Sequence, residues 1–467
     1  MRKTKIIATL GPASDQPKQI GELIDAGMNI ARLNMSHAPH DWVRDVVKVV
    51  RDEAEKRGKL VGILLDTQGP EIRTGNLPSD LHLEIGKRFT FTVRGEQSEE
   101  LHSVDVNYEN FIDDISVGDV IMVDSGEIHM KVLEKHANKV DCEILTPGKL
   151  GSRRHINLPG VKVSLPPITD KDREDIALGM ELKVDFIALS FVREANDIIL
   201  LRELIALHEH QPAIIAKIED QQAVENFESI IATSDGIMVA RGDLGIECPY
   251  EELPIIQRRL VKACLRIGRP VIVATHMLES MIGSPMPTRA EITDVANAVF
   301  EEADAIMLSG ESAMGQYPVK CVEVLDRIAC RTERSGGANF HELAEITSSR
   351  AKLASSAVML ADQLKADAIL LFTDTGKMAR YVSWQRPRHS PIYAVCSDDD
   401  IAASLTLNRG VTSFQMNFDE GHPDTTIDRA LARLVKQRKL KEGDSVIIIT
   451  GIRKGGQVVG AILSRVV

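Results

Sequence analysis

Eight short apolar runs, each followed by an amphipathic stretch of helical spacing, constrain this chain more than any other feature. The runs cover residues 5–10, 29–34, 61–66, 186–190, 214–218, 236–239, 271–274 and 305–308. Helical patterns over 17–26, 40–57, 171–182, 196–208, 221–233, 253–267, 289–302 and 318–334 follow them. Near-continuous aliphatic strands separated by helices predict a parallel sheet buried on both faces. Eight such units predict an α/β fold closed into a (β/α)8 TIM barrel rather than an open sheet.

One interval breaks the rhythm. Between Gln68 and Pro167 the helical pattern gives way to alternating runs at 82–85, 88–93, 119–123, 128–133 and 139–145, with Gly and Asp at the turns. The sequence thus predicts an all-β module inserted after the third barrel strand. Loops that follow barrel strands lie at the catalytic end, so the module is expected to act as a lid. Past Ser335-Gly-Gly-Ala the alternation resumes, with helices at 349–365, 377–383 and 425–437 and strands at 368–372, 392–395, 445–450 and 461–466. The expected division is a barrel from 1–68 and 166–338, an inserted β-barrel lid at 69–165, and an open α/β domain for regulation and oligomerisation at 339–467. A chain of 467 residues exceeds what one core normally serves.

Composition narrows the function. A net charge of −12 argues against sequence-independent nucleic-acid binding. No apolar run is long enough to span a bilayer, and the first residues enter a strand pattern without a leader. Six cysteines without CxxC spacing point to a reducing, cytoplasmic setting rather than to disulfides or zinc.

Polar groups end seven of the eight strands. Lys217-Ile-Glu219 and Met238-Val-Ala-Arg-Gly-Asp-Leu-Gly245 put a cation, two carboxylates and two glycines at adjacent strand ends. Two hard oxygen ligands suit Mg²⁺, which takes its remaining ligands from water and substrate. A lysine beside them can neutralise a moving phosphoryl group. Lys217 and Glu219 share a strand face, so a barrel-interior ion pair is the competing reading. Asn34, Ser36 and Asp66 offer oxygen ligands to a hard cation or, alternatively, cap turns. Met277 and Met281 read as packing, and His37 and His276 as either structural or catalytic.

In order along the chain, Lys5-Ile-Ile-Ala-Thr-Leu-Gly-Pro12, Ala31-Arg-Leu-Asn-Met-Ser-His37, Leu65-Asp-Thr-Gln-Gly-Pro-Glu-Ile-Arg-Thr74, Ala216-Lys-Ile-Glu219, Asp235-Gly-Ile-Met-Val-Ala-Arg-Gly-Asp-Leu-Gly245, Ala274-Thr-His-Met-Leu-Glu-Ser-Met281, Pro287-Thr-Arg-Ala-Glu-Ile-Thr-Asp-Val-Ala-Asn-Ala298 and Met307-Leu-Ser-Gly-Glu-Ser312 closely resemble the pyruvate kinase family. The resemblance covers essentially the whole chain. It implies phosphoryl transfer from phosphoenolpyruvate to ADP, giving pyruvate and ATP in glycolysis, by a cytoplasmic homotetramer. It implies Mg²⁺ (or Mn²⁺) on Glu219 and Asp243, and K⁺ on Asn34, Ser36, Asp66 and Thr67. Lys217, Thr275 and Arg32 match the catalytic groups, with Gly242 and Asp243 joining them in substrate binding. Arg73 and Arg154 match nucleotide contacts, and Glu71 matches the family's marker for K⁺ dependence. Gln68, Arg154, Met35, Ala38 and His276 depart from commoner family residues without deleting a metal ligand. Thr373, Thr375, Gly376 and Arg453 are the expected contacts of a phosphorylated effector. Two other readings stay open from the sequence alone: another Mg²⁺-dependent enzyme using phosphoenolpyruvate or an oxoacid, and a non-catalytic effector-sensing paralogue.

Overall fold

The computed structural model describes residues 2–93, 102–419, 422–454 and 457–467, the side chains of 423 and 452–459 excepted. Eight parallel strands close into a barrel: β1 (Lys5–Thr9), β2 (Ile30–Asn34), β3 (Gly62–Asp66), β4 (Phe186–Leu189), β5 (Ala213–Ile218), β6 (Gly236–Ala240), β7 (Val271–Ala274) and β8 (Ala305–Leu308). Each pairs with its neighbours in chain order, and β1 closes on β8 from Lys5–Ala305 to Ala8–Leu308.

Side chains alternate across a strand, so one line of residues on each strand fills the interior. Ile7, Ile30, Leu64, Phe186, Ile215, Met238, Ile272 and Ala305 pack together there, all excluded from solvent. The opposite faces of the strands, Ile6, Ala31, Ile63, Ile187 and Ile214 among them, join the surrounding helices in a second, larger core. Beyond this layer the composition changes on the side of β2 to β5. Arg32, Asp66, Ser190 and Lys217 continue the lines of β2, β3, β4 and β5, all four buried.

Between β3 and β4 the chain builds a separate β module. Its six-stranded sheet runs, in spatial order, through Ile156–Asn157, Val120–Val123, Ile128–Lys135, Lys139–Ile144, Arg88–Val93 and Ser103–Val106. Leu81–Leu83 pairs with Gly148–Leu150 beside it. Phe89, Phe91 and Phe111 form its core, with edge-to-face ring separations of 5.0 and 5.8 Å. The sequence pattern overlooked Ser103–Val106, Gly148–Leu150 and Ile156–Asn157. These are runs of two to four residues with polar residues or glycine among them, unlike the equally short but all-apolar Val120–Val123.

The last domain is a five-stranded sheet: β9 (Ala368–Thr373), β10 (Ile392–Cys396), β11 (Val411–Gln415), β12 (Ser445–Lys454) and β13 (Gln457–Val466), in the order β11-β10-β9-β12-β13. Only the β12–β13 pair is antiparallel. The pattern missed β11, whose Thr412 and Ser413 blur its apolar signal. This domain plugs the barrel floor. Leu407 packs into the interior cluster, and Gly62 has no room for a Cβ, which would lie 2.3 Å from Thr406 Oγ1. Arg386 locks the joint through Asp304, donating from Nη1 and Nη2 at 2.9 and 2.8 Å with both side chains 3% exposed. All six cysteines are unbonded, and among the described residues no helix is long and apolar enough to cross a membrane.

Removing one member of a buried pair strands the other charge, which costs about 3–5 kcal/mol. Arg386→Leu is therefore expected to lower the chemical-denaturation midpoint by a shift of that size. An unchanged midpoint would mean that the floor joint rests on Leu407 and its neighbours alone.

Candidate active site

The charged groups at the tops of β2, β3, β4 and β5 form one connected cluster. Lys217 Nζ donates to Ser190 Oγ at 2.6 Å and lies 3.1 Å from Asp66 Oδ1 and 2.9 Å from Glu219 Oε1. Arg32 donates from Nε to Asp66 Oδ2 at 2.6 Å and from Nη1 to Thr9 Oγ1 at 2.9 Å. Burial alone would drive the Lys217 proton off, but Asp66 and Glu219 outweigh it and hold the ammonium above the ordinary lysine range. Burial likewise opposes ionisation of Asp66, yet Arg32 and Lys217 keep its carboxyl below the usual value.

Glu219 behaves differently. Burial pushes its carboxyl up to about 7 against the pull of Lys217, with the charge of Asp243 adding to the rise. Its Oε2 accepts from the backbone N–H of Phe191 at 2.7 Å. Glu219 and the neighbouring Asp243 are thus short of positive charge, and oxygen donors in that condition fit a hard divalent cation.

Two loops reach this cluster with strained backbone. Phe191 (φ 51°), Thr275 (φ 72°) and His276 (φ 54°) are left-handed although none is glycine. Arg241 secures the second loop, donating from Nε to the Ala274 carbonyl at 3.1 Å, from Nη2 to the Thr275 carbonyl at 2.7 Å and from Nη1 to Asp294 at 2.6 Å. Gly242 and Asp243 open the helix Arg241–Glu247, and a Cβ on Gly242 would meet Thr275 Cγ2 at 2.9 Å. Close packing at this point requires glycine.

Arg32, Asp66, Thr67, Lys217 and Glu219 join directly or through Ser190. Asn34 pairs in register with Asp66, and its Oδ1 accepts from the Ser36 N–H at 3.3 Å. Glu71, Arg73 and Arg154 lie at the β-module side of the cleft. Glu71 accepts from Arg73 Nε at 2.6 Å and from Gln68 at 3.3 Å, so Arg73 already meets much of its charge. Arg154 is half-exposed, 3.2 Å from Asp124 Oδ1. Thr373, Thr375 and Gly376 stand apart in the C-terminal domain, Thr373 ending β9 and the other two just beyond it. The side chain of Arg453 lies outside the described residues. His37 and His276 are exposed, and Met277 and Met281 are core. Glu311 is a staple: its oxygens accept the N–H groups of Leu278 at 3.0 Å and Ser309 at 2.7 Å.

Sequence reasoning passed over Ser190, the one strand end given no role. It accepts from Lys217 and donates to the Thr67 carbonyl at 2.6 Å. The signal was present, since Phe186, Ala188 and Ser190 continue one interior line. It also passed over the contacts that seat the β module: Asn157 donates to Glu247 Oε1 at 2.9 Å, and Arg193 donates to the Val163 carbonyl at 2.7 Å.

Family models agree with this arrangement. The model described as pyruvate kinase, barrel domain, matches residues 1–322, and that of the pyruvate kinase alpha/beta domain matches 351–460. The chain belongs to the pyruvate kinase family. Among its relatives, pyruvate kinases of Geobacillus stearothermophilus and Staphylococcus epidermidis are 42% and 40% identical, each match covering 97% of this chain and 78% of the relative. Plastidial pyruvate kinase 2 of Arabidopsis thaliana is 42% identical over 96% of this chain and 78% of its own length. A crystal structure of a pyruvate kinase from Cryptosporidium parvum superposes with a TM-score of 0.93 at 36% identity, covering 99% of this chain and 96% of that one.

If Ser190 positions Lys217, Ser190→Ala should lower kcat by roughly 10- to 100-fold, the equivalent of a hydrogen bond to a charged group. The circular dichroism spectrum should stay unchanged. Full turnover in that variant would show that Asp66 and Glu219 alone fix the lysine.

Proposed function

We propose that the chain transfers the phosphoryl group of phosphoenolpyruvate to ADP, giving pyruvate and ATP as a step of glycolysis. The observation that carries this reading is Lys217, kept cationic by Asp66 and Glu219, with Asp243 close enough for its charge to raise the Glu219 carboxyl. Phosphoryl transfer depends mainly on positioning and charge neutralisation, and this cluster offers both. Lys217 stabilises the phosphoryl group in transit, and Arg32 holds the phosphate from the neighbouring strand. Gly242, Asp243 and Thr275 contact the substrate, with Thr275 next to the enolate carbon that takes a proton. Arg73 and Arg154 lie along the nucleotide.

Glu219 and Asp243 would hold Mg²⁺ or Mn²⁺, which supplies positive charge to the phosphoryl oxygens. Asn34, Ser36, Asp66 and the carbonyl of Thr67 would hold K⁺, with Glu71 setting the requirement for it. At an effective dielectric of about 20, a unit charge ~4 Å away is worth roughly 4 kcal/mol. That corresponds to about three decades of rate. In this reading residues 69–165 serve as the lid over the barrel parts 1–68 and 166–338. Residues 339–467 serve regulation and assembly in a cytoplasmic homotetramer. The ten-residue strand β13 supports assembly, since it ends the sheet and pairs with β12 alone among the described strands, leaving an edge that suits another copy.

A phosphorylated effector would bind the cleft of about 680 Å³ lined by Thr373, Thr375, Lys377 and Ser397. Gly376, left-handed at φ 72°, turns the chain into the helix Lys377–Trp384, whose first N–H groups can receive a phosphate. Arg453 completes that assignment.

Two measurements test these assignments. Pyruvate release from phosphoenolpyruvate, ADP and Mg²⁺ should fall by about three decades when an inert organic cation replaces K⁺. Equal turnover in both would discard the potassium assignment, and none in either would discard the reaction. Adding a panel of sugar phosphates should shift the phosphoenolpyruvate saturation curve; an unmoved curve would remove the effector assignment.

A further inference from the structure

The barrel floor carries a second charged cleft, remote from the cluster at the strand tops. It lies where the residues before β1 and β8 meet the loops that precede β10 and β11, and it encloses about 740 Å³. That volume is ample for a small metabolite.

Its lining is unbalanced. Lys3, Arg334, Arg386, Arg388 and Arg409 contribute positive charge, whereas the carboxylates on the wall are Glu302 and Glu333. Those carboxylates are already engaged. Glu333 accepts the N–H groups of Lys3 at 2.9 Å and Thr4 at 2.7 Å and the Thr4 hydroxyl at 2.8 Å. Glu302 takes His341 Nδ1 at 2.9 Å. Arg386 is spent on Asp304. Arg388 meets Glu342 only at the exposed rim, 3.6 Å away, where such a pair holds little.

Arg409 has no such outlet. Its side chain is 9% exposed, and its Nε is closed off from solvent without an acceptor among the described residues. Its carboxylate neighbour, Glu333, stands 3.8 Å from Nη2, beyond hydrogen-bond distance. Lys3 is packed beside it, its Nζ donating to the carbonyls of Pro387 at 2.8 Å and Arg388 at 2.6 Å, which leaves one of its three donors for a ligand; burial, and after it the charge of Arg409, lower the Lys3 ammonium to about 8. A buried guanidinium donor without a hydrogen bond is costly unless something fills it. Glu302 and Arg386, both left-handed although neither is glycine, hold two walls of the cleft in strained backbone.

We propose that this cleft is an anion site, in which Arg409 and Lys3 receive the phosphate group of a small phosphorylated metabolite and tie the C-terminal domain to the barrel floor. A guanidinium fork matches phosphate oxygens in pairs, and a dianion answers a surplus of positive charge better than a carboxylate does.

Calorimetric titration of the full chain with inorganic phosphate, ribose 5-phosphate and acetate, at constant ionic strength in chloride, tests the proposal. Phosphate and ribose 5-phosphate should bind and acetate should not; tighter binding of the ester would identify a metabolite rather than free phosphate as the occupant. Arg409→Gln should weaken phosphate binding about tenfold or more. Arg388→Gln, on an exposed side chain, should weaken it less and keeps the test decisive if Arg409→Gln does not fold. Lys377→Met, in the other phosphate cleft, should leave this binding intact. Phosphate binding equal to wild type in Arg388→Gln and Arg409→Gln, or none above the chloride background, would overturn the proposal.

Discussion

Everything at the top of the barrel depends on Asp66 standing between Arg32 and Lys217. Its carboxylate is excluded from water, and only the two cations make its ionised form tolerable. The dependence is mutual, because Lys217 is equally buried and would lose its proton without Asp66 and Glu219. A buried ion pair gains little net stability over an apolar filling. The interior lines of β2, β3 and β5 are nonetheless apolar at the floor and charged at the top. The fold spends one layer of core on charge, and the layers below it supply the hydrophobic stabilisation.

Rigidity follows from the same cluster. Phe191 turns its backbone into a left-handed conformation, and its N–H meets Glu219. Ser190, one residue earlier, bridges Lys217 to the Thr67 carbonyl. Gly69 leaves no room for a Cβ against Ser190, and its N–H is taken by the buried Asp172 at 3.0 Å. The start of the β module, the end of β4 and the charged cluster are therefore one bonded unit. Arg241 does the same for the Thr275 loop by holding two successive carbonyls. Preorganised charge of this kind needs no reorganisation during reaction.

The parts legible in the sequence were those written with a period. Eight strand-and-helix units declare a barrel, and residues two apart on β5 declare that Lys217 and Glu219 share its interior. Strands such as Ser103–Val106 and Ile156–Asn157 mix polar residues into two to four positions and were invisible, whereas the equally short but all-apolar strands of the barrel were not. Ser190 was overlooked for a different reason, although it continues the line of Phe186 and Ala188. A single serine after an apolar run looks like any turn residue, and its role exists only once β3 and β5 flank it. Contacts between distant segments, such as Asn157 with Glu247 or Arg386 with Asp304, carry no local signal at all. Glu311 warns in the other direction: a polar strand end can be spent wholly on backbone N–H groups.

The two ends of the barrel can be compared by asking which partner is missing. At the top each cation has several acceptors: Lys217 meets Ser190, Asp66 and Glu219, and Arg32 meets Asp66 and Thr9. The unmet demand there is negative, on Glu219 and Asp243, so that end attracts cations. At the floor the carboxylates are the satisfied groups, and the unmet demand is the Arg409 guanidinium. That end attracts anions. Net charge cannot predict this, because −12 for the whole chain says nothing about where donors outnumber acceptors. The difference lies in hydrogen-bond valence. A buried carboxylate closed by three backbone and hydroxyl donors, as Glu333 is, has little left for a guanidinium at 3.8 Å.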